Sequence, residues 1–127
     1  MKDPNTAYLE RYAEAWNAHD IETIMSMMTE DCVFLTGGGE GSSGSRYEGA
    51  ESVRERFVEV WTEFPDVRFE DARHFVDGDR GCSEWTFVAT NPDGFRLEFD
   101  GCDLFDFRDG KIRVKNSYIK NVKPNSR

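Results

Sequence analysis

"EFDGCDLFDFRDGKI", residues 98–112, reads as a strand running into a tight turn. Alternation puts Leu97, Phe99, Gly101, Asp103, Phe105 and Phe107 on one face and Glu98, Asp100, Cys102, Leu104 and Asp106 on the other. Asp109-Gly110 is the signal of a two-residue hairpin, so this strand should fold back on the next. "DGD" at 77–79 and "NPDG" at 91–94 mark earlier reversals, which divides the chain after Pro65 into strands over 67–76, 80–90, 95–107 and 111–121. One residue sits against this pattern. Asp103 shares a face with phenylalanines, and a carboxylate buried among aromatics is costly unless it is paired, hydrogen-bonded or protonated.

The first half of the chain is helical by the same kind of argument. Tyr8, Leu9, Tyr12, Ala13 and Trp16 recur at spacings of three and four over about 5–18, with Asn5 or Thr6 able to cap the start. Asp20 caps a shorter helix through Thr29, and a strand from Cys32 to Leu35 follows. A third helix over about 50–63 points Val53, Phe57, Val60, Trp61 and Phe64 inward and ends at Pro65. Between them lies "TGGGEGSSGSRYEG" (36–49), which holds six of the chain's eleven glycines and reads as a mobile loop, either a surface insertion or a lid. Helices first and a meander afterwards give an α+β domain: three N-terminal helices leaning on a curved, mainly antiparallel sheet, a cone with a pocket inside.

The chain has 127 residues, which suits one domain spanning 1–127. Sixteen Lys and Arg face 25 Asp and Glu, a net charge of −9, and the basic residues are scattered, which argues against nucleic acid or an anionic membrane as partner. No run has the length of a signal peptide core or a membrane span, so a soluble, cytoplasmic protein is expected. Cys32, Cys82 and Cys102 lack metal-ligand spacing and are read as reduced thiols, with no metal site.

The turns also suggest which residues surround Asp103. The two-residue hairpin pairs Phe107 with Ile112, Phe105 with Val114 and Asp103 with Asn116; a three-residue loop would place Lys115 there instead. The first register matches apolar to apolar and is preferred. On the other side, a type I turn with a bulge at Gly94 puts Phe87 across from Phe99, Trp85 across from Gly101 and Ser83 across from Asp103. Ser83, Trp85, Phe105, Asn116 and Tyr118 would then form an apolar chamber around the acid. Asp103 is either a pocket acid or a structural carboxylate tied to a buried arginine or a backbone end. His74 is either a pocket base or a packed strand histidine.

"RYAEAWNAHDIETIMSMMTEDCVF" (11–34), "YEGAESVRERF" (47–57) and "GCDLFDFRDGKI" (101–112), in this order, resemble the nuclear transport factor 2-like superfamily, with SnoaL-like and ketosteroid isomerase-like members nearest. The resemblance implies a cone-shaped α+β barrel that commonly dimerises through the outer face of its sheet; here Leu104 and Ile119 would lie on that face. It implies that Tyr12 is a donor to a developing oxyanion and that Asp103 is either a protonated acid with the same job or, as in SnoaL-type cyclases, the general acid or base. The protonated acid of that isomerase is a standard example of a neutral carboxyl donor. The isomerases' proton-shuttling aspartate falls at Leu35 or Thr36, and neither residue can carry a proton.

Two functions fit these residues. One is cofactor-independent acid-base chemistry, an isomerisation, cyclisation or dehydration of a small apolar carbonyl compound. Asp103 and Tyr12 would be catalytic, and Ser83, Asn116, Tyr118 and His74 would orient the ligand. The walls would be Trp16, Phe57, Trp61, Trp85, Phe87 and Phe105. The other is a non-catalytic ligand-binding or pairing module on the same scaffold.

Overall fold

The computed structural model describes residues 4–122. Helix α1, Thr6–Asn17, starts where the Asn5 side chain accepts from the Tyr8 amide at 3.0 Å, and it buries Leu9, Tyr12, Ala15 and Trp16 along one stripe. The chain reverses at His19, held at a φ of 54°, and Asp20 caps α2 by accepting from the amide and hydroxyl of Thr23. Helix α2 spans only Ile21–Ser26, short of the expected Thr29, because the chain turns at Met27 and enters strand β1, Met28–Leu35. The Met27 carbonyl accepts from the Ile112 amide, so the apolar residues that continue the helical pattern are spent on the sheet.

Strand β2, Arg46–Glu48, is a three-residue polar edge paired antiparallel to β1, and it carries no alternation from which it could be read. Helix α3, Ala50–Glu63, ends before Pro65 as its sequence requires, with Val53 and Phe57 buried. Strands β3 (Arg68–Asp77), β4 (Arg80–Thr90), β5 (Arg96–Arg108) and β6 (Lys111–Ile119) form the expected meander. The sheet is larger than those four strands: the order is β2-β1-β6-β5-β4-β3, with β1 parallel to β6 and every other pair antiparallel. Three helices on this mixed, open sheet make the α+β cone the sequence implied.

Two features of β5 position everything that follows. Its register with β4 is as expected, with Phe87 opposite Phe99, Trp85 opposite Gly101 and Ser83 opposite Asp103. Trp85 can lie over β5 because residue 101 is glycine: a Cβ there would come within 2.5 Å of the indole and 2.8 Å of the Tyr118 carbonyl. The pairing of β5 with β6 departs from the expected one. Phe107 does face Ile112, but a bulge follows at Asp106 and Phe107, so Phe105 faces Lys115 and Asp103 faces Ser117. One extra residue on β6 reverses which side chains point inward. Asn116 and Tyr118 therefore lie on the outer face, where the Asn116 amide donates to the Tyr118 hydroxyl and the Tyr118 ring is half exposed. Ile119 pairs with Gly101 and packs near Gly37, rather than lying on the outer face with Leu104.

Matching apolar residues along the hairpin failed because a stronger constraint governs it. The bulge frees Arg113 to reach Asp31 of β1 at 3.3 Å and supplies a cation and a hydroxyl opposite the buried acid.

Gly101→Ala should destabilise the fold by about 1–3 kcal/mol through overpacking against Trp85. A lowered urea midpoint at unchanged m-value, with altered Trp85 fluorescence, is the expected reading.

Candidate functional site

Asp103 and Lys115 are both buried, 5% and 7% exposed, and form an ion pair beneath the helices. Lys115 Nζ lies 2.9 Å from Asp103 Oδ1, and the Ser117 hydroxyl donates to the same oxygen at 2.5 Å. Trp85 Nε1 donates to Oδ2 at 2.9 Å. Three donors thus converge on one carboxylate, which leaves it no role as a hydrogen-bond donor while it is paired. Of the two readings the sequence left open for Asp103, the geometry gives the acid a buried partner, and that partner is a lysine rather than the expected arginine.

Lys115 is the residue that sequence reasoning placed only in the register not chosen. Its ammonium also contacts the Ser117 oxygen at 3.3 Å and sits 5.0 Å over Phe34, 5.4 Å over Trp16 and 5.8 Å over Phe57. Aromatic faces on three sides compensate part of its desolvation. No local pattern in β6 announces this lysine; the one signal was the buried acid's own need for a counter-charge.

The pair forms one wall of a chamber of about 20 Å³, closed by Tyr12, Ala13, Trp16, Phe69, Ala72, Ser83, Trp85 and Phe105. That is room for roughly one water or one ligand oxygen. Tyr12 has only the Met28 sulfur as partner, at 3.6 Å, a weak acceptor. Burial, reinforced by the Asp103 charge, holds the Tyr12 phenol well above its ordinary pKa, so it stays a proton donor. The buried Trp16 Nε1 approaches this hydroxyl closely enough to ease that shift, yet makes no hydrogen bond of acceptable geometry and has no partner. An unsatisfied buried donor is expensive, and here it belongs to the residue that walls an oxygen-sized space.

Other expected residues are distributed around this centre. Ser83 lines the chamber and lies 2.7 Å from His74 Nδ1, which links the histidine to the chamber's edge. Burial lowers His74 below its ordinary 6.5, with Glu10 opposing the shift. Phe57 and Trp61 stand behind Trp16, at 4.8 and 5.0 Å between ring centroids, and do not reach the chamber. Phe87 belongs to a second cluster with Phe64, Phe69 and Phe99. Asn116 and Tyr118 are excluded from the chamber by the bulge. Phe69 and the two alanines, missed from the sequence, take their places as walls. The cysteines are free thiols, and no group of three or more His, Cys, Asp or Glu side chains suits a metal among the described residues. Among those residues no helix is long and apolar enough to cross a membrane.

Comparison with known proteins agrees with this architecture. Residues 9–114 match the family described as the SnoaL-like domain. A candidate polyketide cyclase from Xanthomonas campestris is similar in structure, with a TM-score of 0.80 at 20% identity over 91% of this chain and 89% of that one. A protein of unknown function from Mesorhizobium loti, described as nuclear transport factor 2-like, superposes with a TM-score of 0.76 at 25% identity over 91% and 90% of the two chains. TerC, co-crystallised with polyporic acid, gives 0.78 at 24% identity over 93% and 92%. No curated protein matches the sequence.

Asp103→Asn should cost about 3–5 kcal/mol, because Lys115 would be left as a buried uncompensated charge, and adding Lys115→Met should restore much of that loss. Thermal unfolding of the two single variants and the double variant gives the coupling. The lowered His74 pKa means that the fold favours the neutral ring. Its stability contribution should be complete above pH 6.5 and fall as pH drops through 6.5 toward the lower folded value. Replacing it, as in His74→Gln, should flatten that slope in a pH series of urea midpoints.

Proposed function

The chain belongs to the SnoaL-like domain family, and on that premise we propose that it performs cofactor-independent acid-base chemistry on a small, mostly apolar carbonyl compound. The observation that carries this reading is a set of donors around one oxygen-sized space: Lys115 Nζ, Tyr12 Oη and the unpartnered Trp16 Nε1 all belong to residues lining the chamber. A carbonyl oxygen seated there would gain negative charge as its α-proton leaves, and preorganised donors stabilise that charge most when it is greatest.

The roles then differ from those the family resemblance assigns. Lys115 and Tyr12 are the oxyanion donors. Asp103 acts through Lys115, fixing the ammonium in position, so it is a positioning residue. His74, neutral at pH 7 and held through Ser83, is the base on the open side of the chamber. It removes the α-proton to give the enolate and returns it at the same or a conjugated carbon; attack of the enolate on a second carbonyl would give cyclisation instead. The candidate cyclase and the ligand-bound TerC support a small organic ligand on this scaffold.

A second reading, a non-catalytic module, is favoured by one observation: both Asp103 oxygens are engaged, and the chamber admits little more than one oxygen. In either reading we propose a homodimer through the outer sheet face, where Phe75 and Tyr118 are exposed.

Deuterium incorporation from heavy water into 4-methylacetophenone and 3-methylcyclohex-2-enone, followed by NMR, separates the readings. The catalytic one expects exchange that falls by about 10²–10³ in Tyr12→Phe and Lys115→Met. It expects a comparable or larger loss in His74→Gln, with the acidic limb of the pH profile abolished. Undiminished exchange in all three variants, or none with the wild type, sinks it. Sedimentation showing a monomer at micromolar concentration would dispose of the dimer.

A further inference from the structure

Four polar side chains stand in one row across the inner face of the sheet. His74 on β3 pairs with Ser83 on β4, Ser83 with Asp103 on β5, and Asp103 with Ser117 on β6. Residues directly opposite each other in a ladder send their side chains to the same face. The row is hydrogen-bonded at both ends: His74 Nδ1 lies 2.7 Å from Ser83 Oγ, and the Ser117 hydroxyl donates to Asp103 Oδ1 at 2.5 Å. Between Ser83 and Asp103 it is open. Both of these residues line the oxygen-sized chamber, so the break in the row coincides with the space for a ligand oxygen.

The open end belongs to Ser83. Both oxygens of Asp103 are already engaged by Lys115, Ser117 and Trp85. Ser83 is 5% exposed, and among the described residues the one hydrogen-bond partner of its hydroxyl is His74. A hydroxyl carries one hydrogen and two lone pairs, so the direction of the His74 contact decides what the chamber meets. If the ring donates from Nδ1, the serine hydrogen is free for an oxygen in the chamber; if the ring accepts, that hydrogen is consumed. A base at His74 selects the first arrangement. Removing an α-proton needs a bare ring nitrogen, and with Nδ1 turned to Ser83 that nitrogen is Nε2, which leaves the ring proton on Nδ1.

We propose that Ser83 is a third donor to the ligand's carbonyl oxygen, and that the hydrogen bond it receives from His74 Nδ1 makes it strongest while the enolate exists. This rests on the chamber being a carbonyl site. As the α-carbon gives its proton to Nε2, the C–H electron pair moves into the enolate and the oxygen gains charge. The same step turns His74 into an imidazolium, whose Nδ1–H is a stronger donor than that of the neutral ring and leaves the Ser83 hydrogen more positive. Glu10 on α1 favours the imidazolium through its charge. Ser83 keeps its own hydrogen throughout, and return of the Nε2 proton to carbon restores the neutral ring. Base and oxyanion donor are thus one hydrogen-bonded unit that responds to a single proton.

Two measurements test it. Long-range ¹H–¹⁵N correlation spectra of the ¹⁵N-labelled wild type above pH 6.5, where the His74 ring is neutral, should show Nδ1 protonated and Nε2 bare. In deuterium exchange of 4-methylacetophenone, Ser83→Ala should lower kcat by about 10²-fold and leave KM within about twofold, because the enolate asks more of the donor than the neutral carbonyl does. An Nε2–H ring in the wild type overturns the assignment of Ser83 without any variant, so the question is decided even if Ser83→Ala fails to fold. Undiminished kcat in Ser83→Ala, or a loss confined to KM, overturns it as well and leaves the carbonyl site standing. No exchange by the wild type sinks the carbonyl site and this inference with it.

Discussion

The structure is organised around a carboxylate and an ammonium taken out of water together. Asp103 and Lys115 pair diagonally across adjacent strands beneath an aromatic roof, and neither could be there alone. Burying either charge unpaired would cost several kcal/mol, comparable with the whole stability margin of a domain this size. The pair requires β5 and β6 to meet in one particular register. That register needs the bulge, and the bulge decides which β6 side chains look inward. Gly101 serves the same centre by letting Trp85 cross β5 and donate to the acid.

A buried ion pair is an inefficient way to gain stability, since well-packed apolar side chains of similar volume often do better. Its retention beside a water-sized chamber is more economically explained by the electrostatics it creates. The ammonium is held beside a space where charge can develop, and the tyrosine and indole hydrogens near it have no strong acceptors of their own. The surrounding rings keep the local dielectric low, which strengthens every such interaction.

Much of the architecture could be read from the chain. The helical stripes of α1 and α3, the three reversals after Pro65, and the β4–β5 register followed from periodicity and turn chemistry, because those signals are local. Strand β2 escaped notice because three polar residues on an edge leave no pattern. The start of β1 was absorbed into the apolar stripe of α2 for a related reason: Met27 and Met28 fit a helix face as well as a strand, and only the hydrogen bond from Ile112 to Met27 chooses between them. Asp103 was recognisable as a buried acid from its place among phenylalanines, and Ser83, Trp85 and Phe105 as its neighbours.

What the sequence by itself determined is that an acid would sit inside an aromatic cone, since alternation along β5 has no other solution. Tertiary structure alone decided what the acid would meet. A single extra residue in β6 exchanged Asn116 and Tyr118 for Lys115 and Ser117, and it did so because the free energy of a buried charge outweighs the apolar matching from which the register was inferred. Local pattern sets which residues are buried; the pairing of charges across strands, a non-local property, sets which of them face each other.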